Sequence, residues 1–279
     1  MISIITASYN AKDTIKNTLD SVRKIKNKNI EYIVIDGQST DGTCEIIEKN
    51  QDIIDVYISE RDNGIYDAIN KGIQMAHGDY TLFLAADDLL IPGAIDGFLQ
   101  SVKCDTEVWS GSVIYHNDYG YFVEESDRNL EKLKQECSLR HPATFFKREA
   151  FEKFGYYDSS LKCSGDREIF LRYYLQGAKF QIENIPIEIF NEGGISTANR
   201  FNLPVSEGII IEKKYGVYQH NTKKPLLKSI RQIINNSFVE NILLKIYYND
   251  SFYSVISKFI NKPLEKIDKN EVNKIMKWS

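Results

Sequence analysis

The chain has 279 residues, 42% hydrophobic and 27% charged, an ordinary soluble composition long enough for one large domain with an appendage or for two small ones. A net charge of −4 leaves no general basic footprint, so nucleic acid is not an expected partner. The four cysteines (Cys44, Cys104, Cys137 and Cys163) form no CxxC pair. With only four histidines they point to separate reduced thiols rather than a zinc site.

In chain order, the β-branched run 2–8 (ISIITAS) predicts a buried strand. Residues 12–25 carry Ile15, Leu19, Val22 and Ile25 at helical spacing. A second strand is expected at 31–36, a helix at 41–51 with Asp41 or Thr43 as N-cap, a third strand at 54–59, a helix at 64–77 stopped by Gly78, and a fourth strand at 80–86. Strand–helix units of this length imply parallel strands joined by right-handed crossovers. Ligands of such sheets bind at the carboxyl ends of the strands. Here those ends are polar: Thr6 to Asn10, Asp36-Gly37, Glu60-Arg61-Asp62 and Asp87-Asp88.

Beyond residue 105 the pattern loosens. A hairpin turning at NDYG (117–120) is followed by a strand and short helix over 141–155, a helix at 165–177 and an extended stretch near 179–190. After about residue 204 the chain reads as helical to Ser279.

Asp87-Asp88, at the end of an apolar run, suits a hard divalent cation such as Mn²⁺ or Mg²⁺, or else an N-cap pair before a helix. Asp36 stands where a carboxylate accepts from a ribose hydroxyl or a base N–H. Asp166 suits a first-turn helix position or a general base. His141 suits substrate orientation or plain packing. Neither GxGxxG nor GxxxxGK[ST] occurs, which disfavours a dinucleotide cofactor and a P-loop.

Six phrases in order carry a resemblance: SIITASYNAKDTIKNTLDSV, EYIVIDGQSTDGT, SERDNGIYDAINKGIQMAHGDYTLFLAADD, HPATFFKREAFEKFGYYD, SGDREIFLR and NEGGIS. Together they resemble family 2 glycosyltransferases, inverting sugar-nucleotide enzymes of the GT-A fold, over roughly residues 1–200. The resemblance implies an α/β fold: a Rossmann-like, mostly parallel sheet flanked by helices, with a helical C-terminal extension. It implies a GT-A domain over 1–204, made of a nucleotide-sugar half (1–104) and an acceptor half (105–204), followed by the extension at 205–279. The implied function is transfer of a sugar from a nucleotide-sugar, a UDP-sugar above all, to a hydroxyl of a growing or lipid-linked surface glycan. Thr6, Tyr9, Asn10, Asp36, Asp67 and Asp87 would then bind the donor, Asp87 and Asp88 a Mn²⁺ or Mg²⁺ ion, and Asp166 would be the base. His141, Gly193 and Gly194 would lie on the acceptor side. Position 85 departs from the family pattern, with Ala85 where many members carry a further Asp. A nucleotidyltransferase and a non-catalytic glycan-binding module are the rival readings.

No window approaches the ~18 uninterrupted apolar residues of a spanning helix, and the N-terminus reads as a strand rather than a signal peptide. A cytoplasmic protein is expected. In the extension, Leu227, Ile230, Ile233 and Ile234 form a helical stripe beside Lys223, Lys224, Lys228 and Arg231, suited to packing, to a second subunit or to an anionic membrane surface.

Overall fold

The computed structural model describes residues 1–117, 120–191, 202–217 and 265–276. Its framework is one ten-stranded mixed sheet. Strands β1 (Ile2–Ser8), β2 (Ile30–Asp36), β3 (Val56–Ser59) and β4 (Tyr80–Phe83) form the parallel part, in the order β4-β1-β2-β3. They are joined through α1 (Ile15–Arg23), α2 (Thr43–Glu48) and α3 (Ile65–Met75). All seven residues of β2 are buried, as a strand covered on both faces requires. Alternation sorts its side chains: Tyr32 and Val34 enter one core with Leu19, Val22 and Ile47, while Ile33 and Ile35 enter the other with Ile69 and Ile73. Gly72 lets α3 lie directly on Ile5, whose side chain occupies the space a Cβ there would need.

The remaining strands make the sheet mixed. After β5 (Leu89–Leu90) and α4 (Ala94–Ser101), the long strand β6 (Val108–Asn117) turns back into β7 (Gly120–Glu125), so the expected hairpin is present. Strand β8 (Thr144–Lys147) runs antiparallel to β4 and β6, and β9 (Phe180–Asn191) lies parallel to β6 and antiparallel to β5. Helices α5 (Arg148–Phe154) and α6 (Gly165–Leu175) cover the face that α3 covers. Gly155 and Gly177 close α5 and α6 with φ of +95° and +79°, whereas the stop expected at Gly78 comes earlier, α3 ending at Met75 with Ala76 extended at its C-cap.

Three elements differ from expectation. The fourth strand ends at Phe83, because Asp88 N–H donates to Ala85 O and turns the chain. The helix expected at 41–51 is α2 followed by a 3-10 turn at Gln51–Ile53. The chain past residue 202 opens with α7 (Asn202–Lys214), helical as expected there. A strand, β10 (Glu265–Ile267), precedes α8 (Lys269–Ile275). Three residues are too few to show a strand period; β10 exists because the edge of β7 accepts it antiparallel. The basic-apolar stripe at 223–234 lies outside the described residues. Among the described residues no helix is long and apolar enough to cross a membrane.

Candidate functional site

The carboxyl edge of β1 and β2 holds the donor-side candidates. Thr6 is wholly buried, its hydroxyl 3.1 Å from Tyr32 OH, and does not reach the edge. Tyr9 does, with its ring 56% exposed. Asn10 adopts φ +49°, a conformation asparagine tolerates. It ties the first loop to the second: its N–H donates to Ser39 Oγ (2.8 Å) and its Oδ1 accepts from Thr40 N–H (3.0 Å).

Asp36 sits deeper than its expected ribose-binding role suggests. Its buried carboxylate accepts from Ser8 Oγ (2.9 Å), Ser39 N–H (2.8 Å), Ser39 Oγ (2.6 Å), Ser59 Oγ (2.9 Å) and the Cys44 thiol (3.3 Å). Burial pulls its pKa upward, but the donors from Ser39, Ser59 and Cys44 outweigh that and hold it below the ordinary carboxylate range. Asp41 behaves alike, accepting from Lys12 N–H (3.0 Å), Thr43 N–H (3.0 Å) and Thr43 Oγ1 (2.6 Å). Gly42 is the residue at the N-cap position of α2, while Asp41 supplies the capping carboxylate. The phrase DGQSTDGT thus folds as a self-bonded loop. Asp67, in the first turn of α3, accepts from Asn63 N–H (3.0 Å) and lies 3.7 Å from Lys71 Nζ.

The next edge is different. Asp87 is half-buried, and burial raises its carboxyl above the ordinary range. Asp88 is 1% exposed. Its Oδ1 accepts from Asn191 N–H (2.8 Å) and its backbone oxygen accepts from Thr18 Oγ1 (2.8 Å). Its Oδ2 meets no donor among the described residues. Asn191 also donates through Nδ2 to Asp87 O (2.6 Å), fastening β9 to the acidic pair. The helix-cap reading of this pair fails, because β5 intervenes and α4 begins at Ala94 with Gly93 at its N-cap.

A third carboxyl joins this corner from β9 rather than from position 85. Glu188 is fully buried, and neither of its carboxylate oxygens has a hydrogen-bond partner among the described residues. Burial, then the charges of Asp88 and Asp87, push it well above the ordinary range; burial and Asp87 do the same to Asp88. Buried carboxylates facing no donor are costly unless a cation or proton meets them. Carboxylate oxygens are the donor type Mn²⁺ or Mg²⁺ takes, although among the described residues no three His, Cys, Asp or Glu side chains converge as a ready-made ion site.

Asp166 lies in the first turn of α6 and is half-buried. Its Oδ1 accepts from Arg167 N–H (2.8 Å), and the Cys137 thiol points at Oδ2 from 3.8 Å. Burial pushes the Cys137 thiol up, so it stays S–H. An aromatic wall adjoins the acid. Gly165 lies flat on the Tyr66 ring, where a Cβ would come within 2.7 Å, and Tyr66 stacks on Tyr157 at 5.6 Å. His141 Nε2 and Tyr157 OH are 2.7 Å apart, and the imidazole stacks on Phe83 at 5.5 Å. Burial lowers the His141 pKa against the opposing charge of Asp166, which favours neutral imidazole at pH 7. Phe83 lies four residues before Asp87, so this wall links the acidic turn to the start of α6. Gly193 and Gly194 lie outside the described residues. Asn191, Glu188, Tyr66 and Tyr157 were not singled out from the sequence. Asn191 and Tyr66 stand inside motif phrases, but nothing in a strand pattern marks Glu188 as buried against Asp88.

The family model described as glycosyl transferase family 2 matches residues 3–171. The chain belongs to that family. It is similar to the UDP-Glc:alpha-D-GlcNAc-diphosphoundecaprenol beta-1,3-glucosyltransferase WfaP of Escherichia coli, 27% identical over 229 residues, which are 79% of this chain and 89% of that one. Among solved structures, Staphylococcus aureus TarS 1–349 in complex with UDP-GlcNAc superposes with a TM-score of 0.63 at 16% identity, over 92% of this chain and 73% of that one. A mannosyltransferase of Pyrobaculum calidifontis, in complex with GDP-Man and Mn²⁺, gives a TM-score of 0.55 at 14% identity, covering 94% and 88%. The fold is therefore GT-A, and the protein is a glycosyltransferase with relatives in polysaccharide and glycan biosynthesis.

Proposed function

We propose that this glycosyltransferase moves a sugar from a UDP-sugar to a hydroxyl of a growing or lipid-linked glycan in surface-polysaccharide synthesis, by a single displacement with inversion. The observation that carries the reading is Asp88: a buried carboxylate at the strand edge with one oxygen held by Asn191 and the other met, among the described residues, only by the Glu188 carboxyl. Asp87 and Asp88 would hold a divalent cation, which when bound neutralises charge on a diphosphate as a Lewis acid. The UDP-Glc and diphosphoundecaprenol of the Escherichia coli relative, and the UDP-GlcNAc bound by TarS, favour a UDP-sugar and a lipid-diphosphate acceptor.

Asp166 takes the proton of the acceptor hydroxyl. That oxygen forms a bond to the anomeric carbon as the bond from the anomeric carbon to the diphosphate oxygen breaks on the opposite face. A positioned base of this kind contributes ~10²–10⁴-fold. The exposed ring of Tyr9 stacks on the base, and Asn10 and Asp36 act by holding the loop around it. Asp67 supports the turn at Asn63 behind that loop. Neutral His141 and Tyr157 orient the acceptor side.

Such an acceptor puts the enzyme in the cytoplasm at the inner face of the membrane. The basic-apolar stripe at 223–234 suits that contact. Flotation with anionic vesicles tests it, and no binding at low salt would remove the membrane role. The whole reading is tested by thermal shift and by release of nucleoside diphosphate from UDP-glucose, UDP-GlcNAc and GDP-mannose, with and without Mn²⁺. We expect a metal-dependent response to the UDP-sugars; no stabilisation by any nucleoside diphosphate would overturn it.

A further inference from the structure

The start of helix α6 is held by other elements rather than by its own cap. Ser164 occupies its N-cap but makes no side-chain capping bond. Helix N-termini leave backbone N–H groups that need acceptors, and a buried start without them is unstable. The first helical amides, of Gly165 and Asp166, meet the Tyr66 hydroxyl, and the amides leading into them meet an acceptor from α7, beyond the stretch matched by the family model. Glu207, 6% exposed, accepts three consecutive N–H groups: Lys162 on Oε1 (2.6 Å), and Cys163 (3.1 Å) and Ser164 (2.9 Å) on Oε2. The Cys163 thiol adds a fourth contact at 3.3 Å. Asp166 is two residues beyond the last of these amides.

The rest of α7 is fastened to the same helix. Arg167 Nη2 bonds Glu212 Oε1 at 3.0 Å, with both side chains buried. Gly208 admits that guanidinium, since a Cβ there would lie 2.6 Å from Arg167 Nη1. Lys214 reaches Asp158 (2.9 Å) and Glu168 (3.3 Å), and Tyr215 donates to Glu168. From the donor side, Lys162 Nζ donates to Asn63 O (3.1 Å), so the approach to α6 is held from both directions. Glu207 is not itself available as a base. Both its oxygens are engaged, and although burial pulls its pKa up, the amides of Lys162 and Cys163 hold it below the ordinary range.

The geometry points to Glu207 as the positioning residue for the general base: it fixes the backbone of Lys162–Ser164 and thereby the place from which Asp166 meets the acceptor hydroxyl. This rests on Asp166 being the base. Near-attack geometry is steep in distance, and a displacement of about 1 Å costs on the order of 10²-fold.

The test compares Glu207→Gln with Ile211→Val, a variant that loosens the buried face of α7 without touching the 162–164 amides. Both are assayed, with Asp166→Asn in parallel, for nucleoside diphosphate release from whichever UDP-sugar the wild type hydrolyses with Mn²⁺, and for UDP affinity by calorimetry. We expect Glu207→Gln to lower kcat by about 10–100-fold with KM and UDP affinity unchanged, and Ile211→Val to lower Tm with kcat unchanged. Wild-type kcat in Glu207→Gln, or a fall matched by lost UDP affinity, would overturn the positioning role. Near-normal turnover in Asp166→Asn would instead overturn the base assignment, whatever Glu207→Gln does. Should Glu207→Gln fail to fold, amide hydrogen exchange on the wild type decides: Lys162–Ser164 must exchange slowly, as amides bound to a buried carboxylate do, and fast exchange refutes the role.

Discussion

The two halves of the sheet edge treat their carboxylates in opposite ways. On the β1–β3 side, Asp36, Asp41 and Asp67 are met by protein donors, and the outcome is a preorganised loop with Tyr9 standing free above it. On the β4–β9 side, among the described residues, Asp88 Oδ2 and the oxygens of Glu188 have only each other's carboxyl to meet, and Asp166 accepts from Arg167 N–H with the Cys137 thiol at a distance. Carboxylates that the fold has satisfied hold structure. Carboxylates left unsatisfied at a strand edge are those with capacity for a cation or a substrate proton.

That contrast is open to direct attack. The largest effect is expected from the unsatisfied side: Asp166→Asn should lose ~10²–10⁴-fold in turnover while UDP affinity stays constant, read by nucleotide release and calorimetry. On the satisfied side, Asp36→Ala should leave the Ser8, Ser39 and Ser59 hydroxyls and the Ser39 N–H without their acceptor and cost roughly 4 kcal/mol of stability by urea unfolding, at about 1 kcal/mol per lost bond. Because the folded pKa of Asp36 is depressed, its contribution is complete above the ordinary carboxylate value and is lost as pH falls through the lower folded value. Acid melts of the wild type should therefore show a loss that Asp36→Ala lacks. Glu188→Gln should do the reverse of Asp36→Ala, raising the Tm of the metal-free protein, because an amide can donate to the facing Asp88 yet never ionises in that buried corner, an effect of about 1–3 kcal/mol. A destabilised Glu188→Gln would erase the contrast. The smallest change is expected from Tyr9→Ala, a loss of about 1–3 kcal/mol in nucleotide affinity with Tm unchanged, since the ring packs against little.

The parallel core was legible because its signals are local. Runs such as EYIVID and the spacing of Ile15, Leu19 and Val22 encode burial within a few residues, and β1, β2, α1 and α3 lie where that pattern predicts. The polar strand ends were legible for the same reason, as were Asp87, Asp88 and Asp166 as candidates. The role of Asp36 was not. Whether a carboxylate at a strand end faces a ligand or the protein depends on Ser39, Ser59 and Cys44, which come from two further loops. The choice between helix cap and acidic turn at Asp87-Asp88 was equally closed to the sequence, since β5 forms only because β9 pairs with it.

By itself, then, the sequence determined the family, the α/β frame and the edge that carries the candidate site, because hydrophobic period and motif order are properties of short stretches. Tertiary structure alone decided which acids are satisfied. Glu188 meets Asp88 across a strand pair, and Glu207 reaches the approach to α6 from a separate helix. Those contacts join residues tens to about a hundred positions apart, and no local pattern carries the distance at which a carboxylate finds, or fails to find, a donor.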